Sequence, residues 1–379
     1  MNYPNQCYLE LTRKCNLRCI HCFANASPNE ITNEMSIEQV KEIYKQISEL
    51  GVIYVNISGG EPLLNKDFFQ IIEFAAKQPY NTCILTNGTL WDRNSIKRLS
   101  EVDPERVILI QVSLDGKYEI MKEQRLVTRQ EFDNILASIN SFKNLGFTVG
   151  CLHVVDSVTV DTSLDTIHYL LSEIQIDVVQ VVPLFPSGRA AENRVILDKF
   201  WDKWAELIVE VTKIKKFSLW GENSPKFNIG FFTLFELVIP LDKAGMHDDI
   251  FNVWELDVSS KKGFWKNTQR DFFCESGRSE LAISANLELF PCVASLRTEF
   301  IAGDLSKNSL NELWLNSEML HWFRNSLNKV ILKEPCASCS YKDICGGGCR
   351  ISALEITGDR YSPDPRCPIV REALNHGKL

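Results

Sequence analysis

Ten of the 13 cysteines fall into groups whose spacing suits metal ligation. Cys15, Cys19 and Cys22 share one short loop, with three and then two residues between them. A loop of that length can wrap three thiolates round one iron–sulfur cube, and a 4Fe–4S cube needs four ligands. No fourth cysteine stands close by in the chain, so one iron keeps an open position, as a catalytic zinc keeps one for its substrate. An open iron is a reactive site, whereas a fully ligated cluster mostly carries electrons. The same spacing also suits a zinc loop with a distant fourth ligand, or three buried thiols. The second group is Cys336, Cys339, Cys345 and Cys349, followed by Cys367 and preceded by Cys274 and Cys292. Read alone, it suggests zinc ribbons or ferredoxin-like clusters. Gly346, Gly347 and Gly348 favour a cluster, because sulfides need close backbone N–H donors. Cys7, Cys83 and Cys151 stand alone in apolar runs and read as small buried hydrophobes.

The rest of the composition narrows the setting. An odd cysteine count in a chain of 379 residues, with a polar start at Met1–Cys7, does not suit a secreted disulfide framework. Metal ligation in a reducing cytoplasm is the expectation. Apolar residues at 45% and charged residues at 24% are a globular balance. A formal net charge of −8 argues against nucleic-acid binding, and no apolar stretch is long enough for a membrane span.

From residue 6 to about 215 the pattern alternates short β-rich runs with helical ones. Strands are expected at Gln6–Leu11, Ile53–Ile57, Thr82–Leu85, Val107–Val112, Thr148–Val155 and Val178–Val182. Helices are expected at Ile37–Leu50, Phe68–Lys77, Ser95–Leu99, Glu131–Leu145, Asp165–Ile174 and Leu197–Val211. Ser36 and Gln39 form a capping box for the first helix, and Gly51 ends it. Six βα units in succession predict an α/β fold with a parallel sheet and outer helices, a partial (β/α)6 barrel. Its chemistry belongs at the C-terminal ends of the strands. Residues 216–272 break the rhythm and are rich in aromatics, among them Trp220, Phe227, Phe231, Phe232, Phe235, Trp254, Phe264, Trp265, Phe272 and Phe273. They read as a bridge or insertion that packs a junction or lines a substrate channel. From residue 273 to 379 the chain is loop-rich, as in a small domain held by metal.

Cys15, Cys19 and Cys22 resemble the CxxxCxxC signature of the radical S-adenosylmethionine (SAM) superfamily. Other residues extend the likeness in chain order. His21 fills a position where relatives carry an aromatic or His side chain beside the adenine. Ser58, Gly59, Gly60, Glu61 and Pro62 resemble the GGE motif that holds the SAM amino group; paired glycines allow close backbone approach, and a carboxylate suits an ammonium. Thr86-Asn87-Gly88 and Ser113-Leu114-Asp115-Gly116 close the third and fourth strands, where the family sets polar side chains against SAM. Asn87 is one such group, and Ser113 with Asp115 suits the ribose hydroxyls. Arg125 is a partner for the SAM carboxylate, and Val182 backs the adenine. The resemblance covers roughly residues 6–190, so residues 1–215 would be the radical SAM core.

The later cysteines resemble the SPASM extension of radical SAM peptide-modifying enzymes, which carries two auxiliary 4Fe–4S clusters. By this resemblance Cys336, Cys339, Cys345 and Cys367 bind an outer cluster, and Cys274, Cys292 and Cys349 an inner one that is one ligand short. Two positions depart from the pattern. Leu287 replaces a glycine in a turn that Asn286 can serve instead. Val293 stands where sulfatase-maturing relatives carry an Asp, which argues against formylglycine formation.

The resemblance implies reductive cleavage of SAM to a 5′-deoxyadenosyl radical, which then abstracts hydrogen from an unactivated C–H bond. No protein residue need act as the primary catalyst. The expected substrate is a ribosomally made precursor peptide, cross-linked through C–C or C–S bond formation. An electron donor such as flavodoxin or ferredoxin would supply the reducing power. Because the first cysteine stands at residue 15, leader recognition is expected from a separate protein or from the aromatic middle segment. The alternatives are a radical SAM/SPASM enzyme acting on a small molecule in cofactor biosynthesis, by decarboxylation or dehydrogenation, and a zinc-stabilised binding module without catalysis.

Overall fold

The computed structural model describes residues 3–29, 33–193, 200–230, 233, 235–254, 274–296, 298–325, 330 and 333–375. The six expected strands are present as β1 (Gln6–Glu10), β2 (Tyr54–Ser58), β3 (Asn81–Thr86), β4 (Leu109–Ser113), β5 (Val149–Val155) and β6 (Val178–Pro183). Helices α1 (Ile37–Glu49), α2 (Phe68–Ala76), α3 (Arg93–Val102), α4 (Tyr118–Arg125), α5 (Arg129–Asn144) and α6 (Ser163–Ser172) alternate with them. The α1 start is the expected capping box: the Ser36 side chain accepts the Gln39 N–H, and Gln39 accepts the Ser36 N–H. Ile37, Val40, Ile43, Tyr44 and Ile47 then form one buried stripe at helical spacing. Asp92 with Ser95, and Thr128 with Glu131, start α3 and α5 in the same way. Helix α4 was not anticipated; its apolar content is too sparse to announce it.

Two compact units make up the chain. One holds residues 1–152 and 275–324, the other residues 153–274 and 325–379. In the first unit, β1 pairs in parallel with β2, β2 with β3, β3 with β4, and β4 with the start of β5. Alternate residues such as Leu9, Ile57, Ile110 and Val112 are fully buried, as a sheet covered by helices requires. This is the expected α/β class with a parallel sheet.

Three strands late in the chain join that sheet, which the sequence pattern did not announce. β8 (Glu280–Ile283) pairs in parallel with β1, Gln6 facing Glu280 and Leu9 facing Ile283. β9 (Glu288–Phe290) and β10 (Gly303–Asp304) follow antiparallel. In the β8–β9 turn the left-handed position falls on Leu287, at φ +64°, not on Asn286 as expected. The cause is register: Ser284 accepts the Leu287 N–H at 2.9 Å and donates to Glu288, so the chain must reverse at the residue just before β9.

In the second unit β6 pairs in parallel with β7 (Phe227–Ile229). A helix at Phe200–Lys216 buries Trp201, Trp204, Leu207, Ile208 and Val211; its expected start at Leu197 lies outside the described residues. Phe227 and Phe235 are core residues, and Trp220 and Trp254 meet the Phe227 ring with centroids 5.6 and 6.3 Å away. Phe231, Phe232, Phe264, Trp265, Phe272 and Phe273 lie outside the described residues. Short helices at Arg350–Thr357 and Pro368–Asn375 each begin one residue after a cysteine, Cys349 and Cys367. No helix among the described residues is long and apolar enough to cross a membrane.

Candidate active site

The first cysteine loop leaves the C-terminal end of β1. Cys15 and Cys19 are buried and Cys22 is half-buried. The loop is tied at both ends: Cys15 N–H donates to Ser27 at 3.2 Å, and Ile20 N–H donates to the Gln124 carbonyl at 3.0 Å. The Cys15 sulfur receives the Leu17 N–H at 3.4 Å and the Asn87 amide at 3.7 Å. Burial pushes the Cys15 thiol up to about 12, and the negative charges of Glu61, Cys19 and Cys22 push the same way.

The glycines of the GGEP segment serve backbone packing. A Cβ on Gly59 would stand 2.5 Å from the Thr12 carbonyl oxygen, and one on Gly60 would stand 2.3 Å from that of Lys14. Glycine lets Gly60 N–H reach the Thr12 carbonyl at 2.8 Å, and Glu61 N–H reach that of Lys14 at 2.9 Å. The strand leading into the cysteine loop is thereby clamped to the end of β2.

Glu61 then turns into the interior, where it is fully buried. Its carboxylate accepts the Thr86 hydroxyl and the Asn87 N–H, both at 2.8 Å, and the Leu63 N–H at 3.4 Å. Burial outweighs those bonds and pushes it up to about 7. Asn87 carries the chain of contacts onward, donating to Asn16 at 3.0 Å, while Thr89 donates to Asn87 at 2.7 Å and Asn16 to Thr89 at 2.8 Å. Three motifs far apart in sequence thus meet around Cys15. Asn16 and Thr89 were missed by sequence reasoning, although Asn16 lies inside the cysteine loop.

Other candidate residues of this unit are also placed. His21 is buried, and Ser113 ends β4 half-buried. Asp115 and Arg125 are buried and bond to each other as an ion pair, Arg125 coming from the unanticipated α4. Val182 lies in the second unit, half-buried on β6, with Gly230 packed against it.

The C-terminal cysteines of the second unit converge as well. Cys336, Cys339, Cys345 and Cys367 line one partly open pocket with Tyr341, Gly347, Ile239 and Val370. Backbone N–H groups point at the sulfurs: Tyr341 to Cys339 at 3.4 Å, Gly347 to Cys345, Ile369 and Val370 to Cys367, and Ser352 to Cys349. Gly346, Gly347 and Gly348 all take left-handed φ values, from +65° to +84°. A Cβ on Gly347 would stand 2.1 Å from Val330, and one on Gly348 would stand 2.3 Å from the Cβ of Asp364. Cys274 and Cys349 share a neighbourhood in this unit. Cys292 belongs to the first unit, just after β9, where the next residue, Val293, donates its N–H to half-buried Glu280 at 2.9 Å.

This donor chemistry fits iron–sulfur ligation. Burial pushes the Cys336 thiol up to about 11 and those of Cys349 and Cys367 to about 12. Such thiols ionise only when a metal charge displaces the proton, and the N–H donors then stabilise the sulfur charge. Cys7, Cys83 and Cys151 are buried without such a setting.

Comparisons with known proteins agree with this geometry. Residues 9–170 match the radical SAM superfamily, and residues 274–340 match SPASM, an iron–sulfur cluster-binding domain. The chain is 27% identical over 365 residues to the mycofactocin maturase MftC of Mycolicibacterium smegmatis, covering 94% of this chain and 81% of that protein. It is 25% identical over 374 residues to the Fe-coproporphyrin III synthase of Methanosarcina barkeri, covering 97% and 88%. The fold overlays on Streptococcus suis SuiB bound to S-adenosylmethionine with a TM-score of 0.72 and 18% identity, over 97% of this chain and 78% of that one. SuiB bound to its precursor peptide SuiA overlays equally, at 0.72 and 17% identity, over 97% and 76%. Both matched segments follow the order in which the fold presents its cysteine sites: the chain carries a radical SAM domain followed by a SPASM domain, and it is an enzyme that uses S-adenosylmethionine and 4Fe–4S clusters.

Proposed function

We propose that this enzyme modifies a ribosomally made precursor peptide, forming a side-chain cross-link through a C–C or C–S bond. The observation that carries the reading is the pairing, in one chain, of a three-cysteine loop held by the sheet with a separate four-cysteine pocket. The second site can take the electron left over when a radical closes into a new bond. The likeness to SuiB, whose solved structure holds a precursor peptide, supports a peptide over a small molecule. Val293 next to Cys292 favours cross-linking over formylglycine formation.

Cys15, Cys19 and Cys22 would ligate the SAM-binding cluster, which together with SAM supplies a carbon radical able to take hydrogen from an unactivated C–H bond. Gly59 and Gly60 hold the loop at the sheet end, and Asn87 orients the Cys15 sulfur. His21, Ser58, Glu61 and Ser113 would flank SAM, and the Asp115–Arg125 pair would offer it a fixed charge couple. Cys336, Cys339, Cys345 and Cys367 would hold an auxiliary cluster, with Cys274 and Cys349 of the same unit serving another. A flavodoxin- or ferredoxin-like donor would reduce the chain, and leader recognition would fall to a separate protein or to the aromatic middle segment.

The test is anaerobic incubation of the reconstituted enzyme with SAM, a reductant and a candidate precursor peptide. The expected product is a peptide lighter by two hydrogens with a new cross-link in its fragment spectrum. An unchanged peptide despite 5′-deoxyadenosine release would remove this reading. The similarity to Fe-coproporphyrin III synthase supports a second one, oxidation of a small molecule in cofactor synthesis. That reading is favoured if 5′-deoxyadenosine release rises with a porphyrin carboxylate and not with peptide.

A further inference from the structure

Beside the C-terminal cysteines lies a group of buried charges that neither ligates metal nor meets substrate in the reading above. Arg366, immediately before Cys367, is 1% exposed. Its guanidinium donates to Glu236 at 2.7 Å and to both oxygens of Asp364, at 3.1 and 2.7 Å. The rings of Phe185, Trp201 and Phe235 surround it with centroids 5.6 to 5.7 Å away. Asp364 in turn accepts the Cys349 N–H at 2.9 Å and the Ser352 hydroxyl at 3.1 Å. The Asp364 N–H donates to Gly347 at 3.1 Å, and the Asp364 side chain fills the space that a Cβ on Gly348 would need. Arg350, also 1% exposed, donates to the carbonyls of Gly347, Gly348, Arg360 and Ser362.

Two buried cations and two buried carboxylates are therefore packed against the segment carrying Cys345, Cys349 and Cys367. A buried ion group is a poor device for stability alone, since apolar residues of similar volume commonly do as well. Beside a redox centre it has another consequence. Reduction adds a negative charge, so a nearby cation in a low-dielectric interior favours the reduced form, and a nearby anion opposes it.

We propose that Arg366, clamped between Glu236 and Asp364, is a positioning residue for the auxiliary iron–sulfur sites at Cys349 and Cys367 and that its charge raises their reduction potential. Asp364 transmits the position through the Cys349 N–H. Glu236 offsets part of the cation's charge and so keeps the potential from rising further. The inference rests on the auxiliary ligand assignment made above.

The test uses the full chain with Cys15, Cys19 and Cys22 replaced by alanine, so that only auxiliary iron contributes. Iron content is measured, and midpoint potentials are read by titration with electron paramagnetic resonance detection. In that background Arg366→Gln should lower the auxiliary midpoint and Glu236→Gln should raise it, both with the parent's iron content. Arg366→Lys, which keeps the charge but loses the fork, should hold the midpoint near the parent value. Should Arg366→Gln fail to fold, a raised midpoint in Glu236→Gln beside an unchanged one in Arg366→Lys still decides. Midpoints that stay put, or that move in the same direction in the two glutamine variants, overturn the inference, as does loss of iron from Glu236→Gln. Auxiliary iron missing already from the parent overturns the ligand assignment and this inference together.

Discussion

Cys15 itself is supported by neutral amide, hydroxyl and backbone groups and the buried carboxyl of Glu61, with the buried Asp115–Arg125 ion pair as the charged group of that site. Around Cys349 and Cys367 the same task falls to full charges, Arg350, Asp364, Arg366 and Glu236. The first loop leaves a strand of a parallel sheet whose core is already rigid, so a few hydrogen bonds suffice to aim it. The second site is framed by short helices and a glycine run with little regular structure of its own. Glycines that take left-handed backbone, and ions that cannot leave their partners, replace the sheet there. A site can thus borrow its order from the fold or be built from local chemistry.

The sharpest way to separate the two sites is to remove one of them. Replacing Cys15, Cys19 and Cys22 by alanine should abolish 5′-deoxyadenosine release outright, while roughly two-thirds of the iron of a three-cluster enzyme stays bound. Loss of all iron in that variant would mean that the sites are not independent.

Next come single glycines, one in each region. Gly348→Ala meets both a left-handed φ and the Asp364 side chain, which together cost about 3 kcal/mol. It should lose auxiliary iron yet still cleave SAM. Gly60→Ala drives a Cβ onto the Lys14 carbonyl at a cost of about 2 kcal/mol, and should show the reverse pattern. Iron content and SAM cleavage, measured on both variants, decide whether each glycine serves only its own site.

Glu61 tests whether the carboxyl beside Cys15 is neutral in the folded chain. Its carboxyl is raised from 4.5 to about 7, so the folded chain holds the proton more tightly than the unfolded chain does. The stability this contributes is complete below pH 4.5 and is lost as pH rises to about 7; the linked change is about 3 kcal/mol. Glu61→Gln should flatten the fall in stability across that window, as read by denaturant unfolding at a series of pH values. An identical pH profile for the two proteins would mean that Glu61 is already charged when folded.

The smallest effect is expected at Leu287, which holds φ +64°. Asparagine tolerates that region better, so Leu287→Asn should stabilise the first unit by about 0.5 kcal/mol. A thermal scan showing destabilisation would mean that the half-buried leucine side chain contributes more than its backbone strain costs.

Much of this is legible in the sequence. Local signals act over three or four residues, so the capping box at Ser36 and Gln39, the stop at Gly51 and the six parallel strands could be read along the chain. The cysteine spacing announced metal chemistry, and Cys336, Cys339, Cys345 and Cys367, close in sequence, line one pocket. What escaped was non-local or short. β8 has four residues, and its partner β1 lies at the other end of the chain. Asp115 and Arg125 were each matched to SAM, yet they also bond to each other, because α4 returns the arginine to the end of β4.

Residue types and their intervals determined which chemistry is available here: thiolates in clusters, glycines at turns and apolar stripes that choose strand or helix. Those are properties of neighbouring residues, set by covalent distance and by the period of each element. Only the tertiary structure decided that Gly59 and Gly60 face the backbone at Thr12 and Lys14, that Glu61 reaches Asn87, and that Glu236 meets Arg366 across 130 residues of sequence. Such contacts depend on where separate elements pack, and a buried charge declares its partner only once water has been excluded around both.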